Sequence, residues 1–422
     1  MSKLTHRGYY TLTRVTDYGP YVTKLILPVP EPVTQSSLSP DAFSVYLERL
    51  DGRGELLMLP KSWMAQDDKE PSQGYIPVTA AYPSDREGNP QPEGCFAALE
   101  MAYGPLYQLS SCISAPEGLN VYVNMRYTVT QTKAIGGVTG MTFDHPLGGF
   151  APDSVGWLHG VSQGEEPVSY GYYIPQDVEP GPRPLIVWLH GAGEGGYDVS
   201  IPYTANKVVS FTSPRVQKLF GGAYVLAPQA KTFWMNDGSG EYGRSGRSMY
   251  SKALMECITQ FVDRNPGIDR GRILIGGDSN GGFMTMRMFL DHPDYFAAAF
   301  PVCEALYDET ITDEDIGRVK DKPIWFTHAK NDPVVKPEET VLATYRRLME
   351  AGAKNVHFTF WDKIEDIHEG FQDAEGKPFE YIGHFAWIPV FNDDCRLDFD
   401  GKPVVVDGQE VSLMEWLAKI GA

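Results

Sequence analysis

Polar and apolar residues alternate with a period of two along the first part of the chain. In VYVNMRYTVT, residues 121–130, the residues at odd positions are all apolar or aromatic, and most of those between them are polar. The stretch FSVYLERL, residues 43–50, begins with the same alternation. A strand with one buried face has this period. Because Pro- and Gly-rich stretches separate such runs and no amphipathic helix is evident, residues 1–160 are predicted to form an immunoglobulin-like β-sandwich domain.

The pattern changes after about residue 160, where short apolar runs alternate with segments of helical period. The runs are typical of fully buried strands, and they are PLIVWLHG, AYVLAP, RILIGGDS, AAAFPV, PIWFTHA and VHFTFW. Between the second and third runs, Tyr250, Leu254, Ile258 and Phe261 form one helical stripe. This alternation predicts that residues 161–422 form an α/β domain, with a mostly parallel sheet covered by helices on both faces. Ligands of such sheets bind at the carboxyl ends of the strands.

Charge and composition exclude several functions. The 422 residues include 36 basic and 55 acidic side chains, and the net charge of −19 repels nucleic acid and anionic membrane surfaces. No apolar run of about 18 residues occurs, and the start has no apolar signal core. The five cysteines are odd in number and lack C-x-x-C spacing. A cytoplasmic protein with reduced, mostly buried thiols is therefore expected, with no nucleic acid or membrane partner. A homo-oligomer is a further expectation.

The stretch GGDSNGG, residues 276–282, carries the strongest chemical signal. It contains the pattern G-x-S-x-G around Ser279, between a predicted buried strand and an apolar helix. A strand that turns sharply into a helix strains the residue at the turn and leaves no room for neighbouring side chains, which explains the glycines. Ser279 is therefore predicted to be a nucleophile, with the backbone N–H of Asn280 aimed at a developing oxyanion. The alternative is an ordinary glycine-rich helix cap.

A serine hydroxyl is a weak nucleophile at neutral pH, so this prediction requires a base and an acid that orients the base. Asp332 follows the run PIWFTHA in an Asn-Asp-Pro turn, although an ordinary turn is the alternative interpretation. His384 lies beyond the last run, VHFTFW. The chain order Ser279, Asp332, His384 is the order of α/β-hydrolases.

Two other histidines compete with His384 for the role of base. His368 lies among acidic residues, whose charges favour a protonated ring that cannot accept the serine proton. His328 precedes Asp332 by four residues and is expected within its strand or at its end. His384 is flanked by Gly383, Phe385 and Trp387, an apolar setting that suits a neutral ring, and it is predicted to be the base.

The stretch LIVWLHGAGEGG is expected to supply the second oxyanion donor, the N–H of Ala192. It also matches the dinucleotide-binding pattern G-x-G-x-x-G through Gly191, Gly193 and Gly196. The next run ends in Pro-Gln rather than in the acid that would hold a ribose, which argues against a dinucleotide. Histidines are dispersed and H-E-x-x-H is absent from the sequence, so neither a cofactor nor a metal is predicted.

HGAGEGG, GGDSNGG, KNDPVV and GHFAWIPVFND together resemble serine esterases of the α/β-hydrolase superfamily related to polyhydroxybutyrate depolymerases and feruloyl esterases. In particular, the chain resembles bacterial esterases with an N-terminal immunoglobulin-like domain. The motifs that carry this resemblance lie within residues 167–420. For the first 160 residues, the resemblance rests only on the alternation of polar and apolar residues. It implies an α/β-hydrolase domain with Ser279 as nucleophile, Asp332 as orienting acid and His384 as base. It also implies that Ala192 and Asn280 are the oxyanion donors.

Three classes of function are compatible with this sequence. A carboxylesterase acting on a small-molecule ester is favoured, and esters of feruloyl, acetyl or short-chain acyl type are the candidate substrates. A serine peptidase of the prolyl-oligopeptidase type is the alternative, although the first 160 residues contain no repeat typical of a propeller. A non-catalytic binding protein on a hydrolase scaffold is the third. Trp234, Trp361 and Trp387 are candidates for lining an acyl pocket or for packing, and the methionines after the elbow are expected to fill the core.

Overall fold

The structure of the protein, a computed structural model, describes residues 5–60, 67–107, 109–115, 118–135, 137–176 and 181–421. The chain divides into two compact units. The first consists of residues 1–113 and 121–155, and the second consists of residues 114–120 and 156–422. A short segment in the N-terminal third of the chain therefore clusters with the C-terminal unit.

The first unit is built of strands. The strands up to residue 150 are β1 (Thr5–Thr16), β2 (Gly19–Thr34), β3 (Phe43–Leu50), β4 (Met58–Pro60), β5 (Lys69–Pro71), β6 (Gln73–Ile76), β7 (Val78–Ser84), β8 (Glu93–Met101), β9 (Cys112–Ser114), β10 (Asn120–Tyr122), β11 (Asn124–Gln131) and β12 (Met141–Phe150). Short 3-10 turns lie at Gln35–Ser37, Pro40–Ala42 and Pro152–Ser154. Eight strands hydrogen-bond in the order β6-β3-β11-β12-β1-β2-β8-β7. Neighbours are antiparallel except β1 and β12, which run parallel.

The predicted alternation is confirmed in the paired strands β3 and β11. Val45 lies opposite Val129, and Leu47 lies opposite Tyr127, and all four are buried. Phe43 is buried at the start of the same face of β3. Because residues on one face of a strand recur at every second position, this register directs a whole apolar set into the core of the unit.

The second unit combines one large sheet with helices. Its strands are β13 (Trp157–Val161), β14 (Ser169–Tyr173), β15 (Arg183–Leu189), β16 (Tyr224–Gln229), β17 (Ile268–Asp278), β18 (Ala298–Val302), β19 (Ile324–Ala329), β20 (Val356–Trp361), β21 (Ile364–Glu365), β22 (Glu380–Tyr381), β23 (Val405–Val406) and β24 (Gln409–Glu410). Its helices are α1 (Ile201–Thr204), α2 (Pro214–Phe220), α3 (Ser251–Arg264), α4 (Asn280–Asp291), α5 (Asp313–Val319), α6 (Val341–Glu350), α7 (Trp387–Phe391) and α8 (Leu413–Lys419). Short 3-10 turns lie at Ala192–Glu194, Val208–Thr212 and Asp308–Thr310.

The large sheet has the strand order β13-β14-β16-β15-β17-β18-β19-β20. Neighbours from β16 to β20 are parallel, whereas β13 and β14 add an antiparallel edge. The six apolar runs predicted to be strands are β15 to β20, and this prediction is confirmed. Strands buried on both faces need no alternation, which is why these segments are apolar throughout.

Helices α3 and α4 each bury apolar side chains in the core of the second unit. The stripe predicted on α3, from Tyr250 at its N-cap to Phe261, is buried as a whole. Burial of such side chains stabilises the fold by about 1.5–3 kcal/mol each. Met284, Met286 and Met288 on α4 are fully buried, so they fill the core as predicted.

The order of the parallel strands brings the candidate residues to one edge of the sheet. Strand β17 lies between β15 and β18, with Leu189 opposite Gly277. Ala192, Ser279 and Asp332 follow the carboxyl ends of β15, β17 and β19, and these ends meet at the same edge. Within the described part of the chain, no helix has the length and apolar character needed to cross a membrane.

Candidate active site

Ser279 lies at a sharp turn between a strand and a helix. Strand β17 ends at Asp278 and α4 begins at Asn280, and Ser279 between them has φ +56° and ψ −114°. This backbone conformation is strained for a residue with a side chain. The Ser279 N–H donates to the carbonyl of Val302 at 2.9 Å, and its carbonyl accepts from Phe283 N at 2.8 Å. These two bonds hold the strained residue at the end of the sheet.

Close contact with the neighbouring strand explains the glycines of GGDSNGG. A Cβ atom on Gly277 would lie 2.4 Å from the carbonyl oxygen of Leu189. A Cβ atom on Gly281 would lie only 1.8 Å from the same oxygen. Because real Cβ atoms do not approach backbone this closely, any other residue would push β15 away from the turn.

The structure brings Ser279, His384 and Asp332 into one hydrogen-bonded chain. His384 Nε2 lies 2.9 Å from Ser279 Oγ, and His384 Nδ1 lies 2.8 Å from Asp332 Oδ2. Asp332 and His384 are buried, whereas Ser279 is half-buried. The ring can donate from Nδ1 to the carboxylate and accept at Nε2 from the hydroxyl. The arrangement can therefore take a proton from Ser279 and keep the resulting charge next to a carboxylate.

The surroundings of Asp332 keep this carboxyl ionised. Burial alone would raise its pKa, but hydrogen bonds from His328 and His384 outweigh that effect and hold the pKa well below its usual range. The backbone N–H groups of Val334 and Val335 donate to Oδ1 at 2.8 and 3.0 Å. Both carboxylate oxygens are thus used, which fixes the direction in which Asp332 faces His384.

His328 contacts the acid and not the nucleophile. It lies within β19, fully buried, and its Nε2 is 3.1 Å from Asp332 Oδ2 and 3.1 Å from the carbonyl of Val335. Two histidines therefore approach the same carboxylate oxygen, and only His384 also reaches Ser279 among the contacts of the described residues. From the sequence, His328 was a candidate only for the role of base. Its spacing of four residues before Asp332 was the signal for this second role.

His368 pairs with Asp394, away from the Ser279, His384 and Asp332 chain. Its Nε2 is 2.9 Å from Asp394 Oδ2, and 43% of its side chain is exposed. The described contacts of this ring do not include Ser279 or Asp332. The pairing with a carboxylate in solvent is consistent with the acidic surroundings read from the sequence.

Ala192 and Asn280 lie at matching positions beyond the ends of the neighbouring strands β15 and β17. Leu189 is paired with Gly277, and each of the two candidate donors follows its member of that pair by three residues. Ala192 begins the turn Ala192–Glu194, and Asn280 is the first residue of α4. The Asn280 side chain is buried and accepts a hydrogen bond from Met235 N at 2.9 Å. Both candidate oxyanion donors therefore follow the carboxyl ends of neighbouring strands, and their role stays a prediction.

His190 supports the loop that contains Ala192, a role that sequence reasoning missed. The ring accepts from Ala230 N at Nε2, at 3.0 Å, so its proton lies on Nδ1 and is donated to the carbonyl of Gly191 at 2.6 Å. Burial lowers the pKa of His190 to about 4, which keeps the ring neutral. The sequence places this histidine directly before one partner, Gly191, but the other, Ala230, lies 40 residues farther along the chain.

The three candidate tryptophans have different surroundings. Trp234 is fully buried and packs against His190, with ring centroids 5.0 Å apart. Trp387 packs edge-on against His384 at 5.8 Å and also contacts Phe385. Trp361 lines a cleft of about 410 Å³ beside β21 and α7. Of the three, Trp387 is the one in contact with a member of the Ser279, His384 and Asp332 chain.

Glu304 is a buried acid close to the elbow. A Cβ atom on Gly282 would lie 2.7 Å from Glu304 Cα, and the carboxyl accepts from Leu306 N at 2.8 Å. Oε1 has no partner among the described residues. Burial raises the pKa of Glu304 to about 8. The folded protein therefore binds this proton more tightly than the unfolded chain does.

Replacing Glu304 by glutamine is expected to stabilise the protein at pH 8.5 and to change little at pH 5. Because the folded pKa exceeds the unfolded value, the stability that Glu304 contributes is complete below about pH 4.3 and falls until about pH 8. The amide has no proton to lose, so Glu304→Gln should gain roughly 3–5 kcal/mol over that range, because a pKa raised from about 4.3 to about 8 corresponds to about 1.4 kcal/mol for each pH unit between them. Urea unfolding at both pH values measures the difference. Glu309→Gln, at an exposed acid, is the control, and parallel pH curves for Glu304→Gln and wild type would contradict the prediction.

Parts of the sequence match two known families. Residues 8–144 match the esterase Ig-like N-terminal domain, and residues 234–318 match the prolyl oligopeptidase family. The comparison with curated protein sequences gives no match.

Among solved structures, the protein is similar to a thermostable esterase, at 25% sequence identity and a TM-score of 0.73. That similarity covers 91% of this chain and 96% of the other. The acylaminoacyl peptidase of Pyrococcus horikoshii is 18% identical, with a TM-score of 0.40 over 62% of this chain and 44% of its own. Est1E from Butyrivibrio proteoclasticus is 14% identical, with a TM-score of 0.34 over 48% and 87%.

These matches and the architecture define the class of protein. A mostly parallel sheet that ends in a serine elbow, preceded by an Ig-like domain, is that of a serine hydrolase with the α/β-hydrolase fold. The similarity to the thermostable esterase extends over nearly the whole of both chains, including the Ig-like domain. The enzyme is, in particular, an esterase.

Proposed function

We propose that this esterase hydrolyses carboxylic esters with Ser279 as nucleophile, His384 as general base and Asp332 as the orienting acid. The observation that carries the proposal is the continuous chain of contacts from Ser279 Oγ to His384 Nε2, 2.9 Å, and from His384 Nδ1 to Asp332 Oδ2, 2.8 Å. A hydroxyl in contact with an imidazole that a buried carboxylate orients is the arrangement that activates serine near neutral pH.

The proposed reaction has two halves. His384 takes the Ser279 proton as Oγ attacks the ester carbonyl, and the N–H groups of Ala192 and Asn280 stabilise the oxyanion of the tetrahedral intermediate. His384 then protonates the leaving alcohol, which leaves an acyl group on Ser279. Water, deprotonated by His384, attacks the acyl-enzyme in the same way and releases the acid. Asp332 stays ionised throughout, because its hydrogen bonds keep its pKa low.

The proposed substrates are esters with feruloyl, acetyl or other short acyl groups. Support comes from the apolar rings next to the base, where Trp387 contacts both His384 and Phe385. An aromatic or short acyl group can pack on such rings, and offset aromatic pairs contribute about 0.5–1.5 kcal/mol beyond their buried area. The resemblance to feruloyl esterases in the motif residues points to the same class.

A peptidase of the prolyl-oligopeptidase type is the second candidate. The match of residues 234–318 to the prolyl oligopeptidase family favours it, because that segment contains the Ser279 elbow. The match of residues 8–144 to an esterase domain favours the ester hydrolase instead. The same nucleophile, base and acid serve both reactions, so the choice depends on the leaving group.

A substrate comparison separates the two candidates. We expect p-nitrophenyl acetate, p-nitrophenyl butyrate and methyl ferulate to be hydrolysed with kcat/KM at least about 100-fold above that for aminoacyl-proline p-nitroanilides, a difference of about 2.7 kcal/mol in transition-state stabilisation. The same purified enzyme is assayed on all substrates at pH 7.5, with Ser279→Ala as the blank. Faster cleavage of the anilides would reverse the assignment.

The cytoplasmic location and the homo-oligomer stay predictions.

A further inference from the structure

Two buried carboxyls converge beside the Ser279 turn. Asp278 immediately precedes Ser279 and is 1% exposed, and Glu194 ends the turn that begins at Ala192 and is 4% exposed. A Cβ atom on Gly191 would lie 2.7 Å from Asp278 Oδ2 and 2.8 Å from Glu194 Oε2. The two carboxyls thus approach the same point, one from the elbow and the other from the candidate oxyanion loop.

Among the described residues, neither carboxyl has a cation that could neutralise it. Asp278 Oδ2 accepts a long bond of 3.4 Å from Asn206 Nδ2, and Glu194 Oε1 accepts a bond of 2.9 Å from Asn120 Nδ2. Asp278 Oδ1 and Glu194 Oε2 have no hydrogen-bond partner among the described residues. Within the same residues, neither acid forms an ion pair with a lysine, arginine or histidine. Two buried acceptors without a donor indicate that one of the two carboxyls is protonated and can donate to the other.

In a buried pair of acids, one carboxyl keeps its proton. Two neighbouring carboxylates in a low-dielectric interior cannot both be ionised, so one keeps its proton and can donate it to the other. Burial is the main cause that raises both pKa values, that of Glu194 to about 7. The charge of Glu194 further raises the pKa of Asp278. The pair therefore holds one proton at neutral pH.

We propose that Asp278 and Glu194 share this proton and act as positioning residues, because their O–H···O contact ties the loop containing Ala192 to the Ser279 turn. The proposal rests on the proposed function, in which Ala192 N–H is an oxyanion donor. Loss of the shared proton would leave two negative charges side by side. Their repulsion would move the loop and misplace the Ala192 N–H, which an oxyanion site does not tolerate.

The other groups around the pair add no charge that could replace the proton. From β15, Trp188 presents an indole to Asp278, and His190 is neutral because its pKa is lowered to about 4. Beyond β18, Cys303 faces Asp278, and burial raises the pKa of its thiol well above the usual value, so it stays neutral. Asn206 and Asn120 are uncharged amides. A rise in pH therefore acts on the two carboxyls themselves. Glu194 ionises first, near pH 7, and the remaining proton is lost only at a higher pH, because the charge of Glu194 further raises the pKa of Asp278.

The test compares Glu194→Gln, Asp278→Asn and Glu194→Ala with wild type in the hydrolysis of p-nitrophenyl butyrate from pH 6 to 9.5. Each amide can donate an N–H to the remaining ionised carboxylate and cannot lose it, so the two amide variants should recover the contact. We expect wild-type kcat to stay level just above pH 7, where the pair still holds one proton, and to fall at the alkaline end of the range, by at least about threefold at pH 9.5. The kcat of both amide variants should stay flat there. Glu194→Ala removes the contact and should lower kcat by about 10- to 100-fold with KM within about threefold, since one misplaced oxyanion donor costs up to 10²–10³ in kcat.

Glu304→Gln is the matched control, because Glu304 is also fully buried with a raised pKa but does not contact Gly191. Its kcat profile should follow that of wild type. If wild type and both amide variants share one kcat profile up to pH 9.5, flat or falling, the shared proton is refuted. If Glu194→Ala keeps wild-type kcat, the positioning role is refuted, and if it does not fold, the two amide variants decide. Wild type that hydrolyses no ester would contradict the proposed function instead.

Discussion

Ser279→Ala is expected to lower kcat for ester hydrolysis by about 10⁶-fold, the size of the loss when a serine hydrolase loses its nucleophile. The substitution removes one hydroxyl whose partner is His384 Nε2, and it leaves the backbone bonds of Ser279 to Val302 and Phe283 in place. The fold should therefore be unchanged, with the melting temperature and circular dichroism of wild type. Initial rates on p-nitrophenyl butyrate measure the effect.

Covalent labelling provides the control for this prediction. A fluorophosphonate should modify wild type on Ser279 and should not modify Ser279→Ala, as peptide mass spectrometry can determine. If folded Ser279→Ala keeps more than about a tenth of the wild-type rate, another residue is the nucleophile. Labelling at a different serine would lead to the same conclusion.

His384→Ala is expected to lose nearly all turnover, about 10⁴-fold or more, whereas His368→Ala should keep most of it. His384 bridges Ser279 and Asp332, so its removal leaves the hydroxyl without a base. His368 pairs with Asp394 and is 43% exposed. Both variants are assayed on one activated ester from pH 5 to 9. The loss in His384→Ala should persist at every pH, because no other group contacts Ser279 Oγ among the described residues.

The pair of histidine variants controls for itself, since each removes one imidazole that is paired with an aspartate. A reversed ranking would show that His384 is not the base. Equal and moderate losses in both would indicate that the substitutions act through stability, which melting temperatures would reveal. Retention of wild-type turnover in both would leave Ser279 without either base and would overturn the proposed mechanism.

Much of the fold follows from local patterns in the sequence. Buried parallel strands are apolar throughout, and half-buried antiparallel strands alternate, so β15 to β20 and the strands β3 and β11 can be read directly. The elbow is legible for the same reason, because a strand, a strained serine and a helix follow one another within residues 268–291. In the order Ser279, Asp332, His384, the first two residues follow predicted strand ends, and the third is favoured among three histidines by its apolar neighbours.

Other features depend on contacts between segments that are distant in the chain. The segment 114–120 clusters with the second unit, where Asn120 meets Glu194, and no local pattern marks it. The local sequence pattern also does not predict the antiparallel edge formed by β13 and β14, because this edge depends on which strand pairs with β16. Periodicity reports which face of a strand is buried, but it does not report the neighbour against which the strand is buried.

The candidate site divides in the same way. The sequence by itself determined the nucleophile, base and acid candidates. Ser279 and Asp332 follow predictable strand ends, and His384 is favoured by its position in the chain order and its apolar neighbours. Only the tertiary structure showed that His328 reaches the oxygen of Asp332 that His384 also contacts, and that Asp278 and Glu194 meet at Gly191. The physical reason is that the charge state of a buried group depends on its desolvation and on its neighbours in space. Both are set by packing between distant segments, which residue types and spacing do not encode.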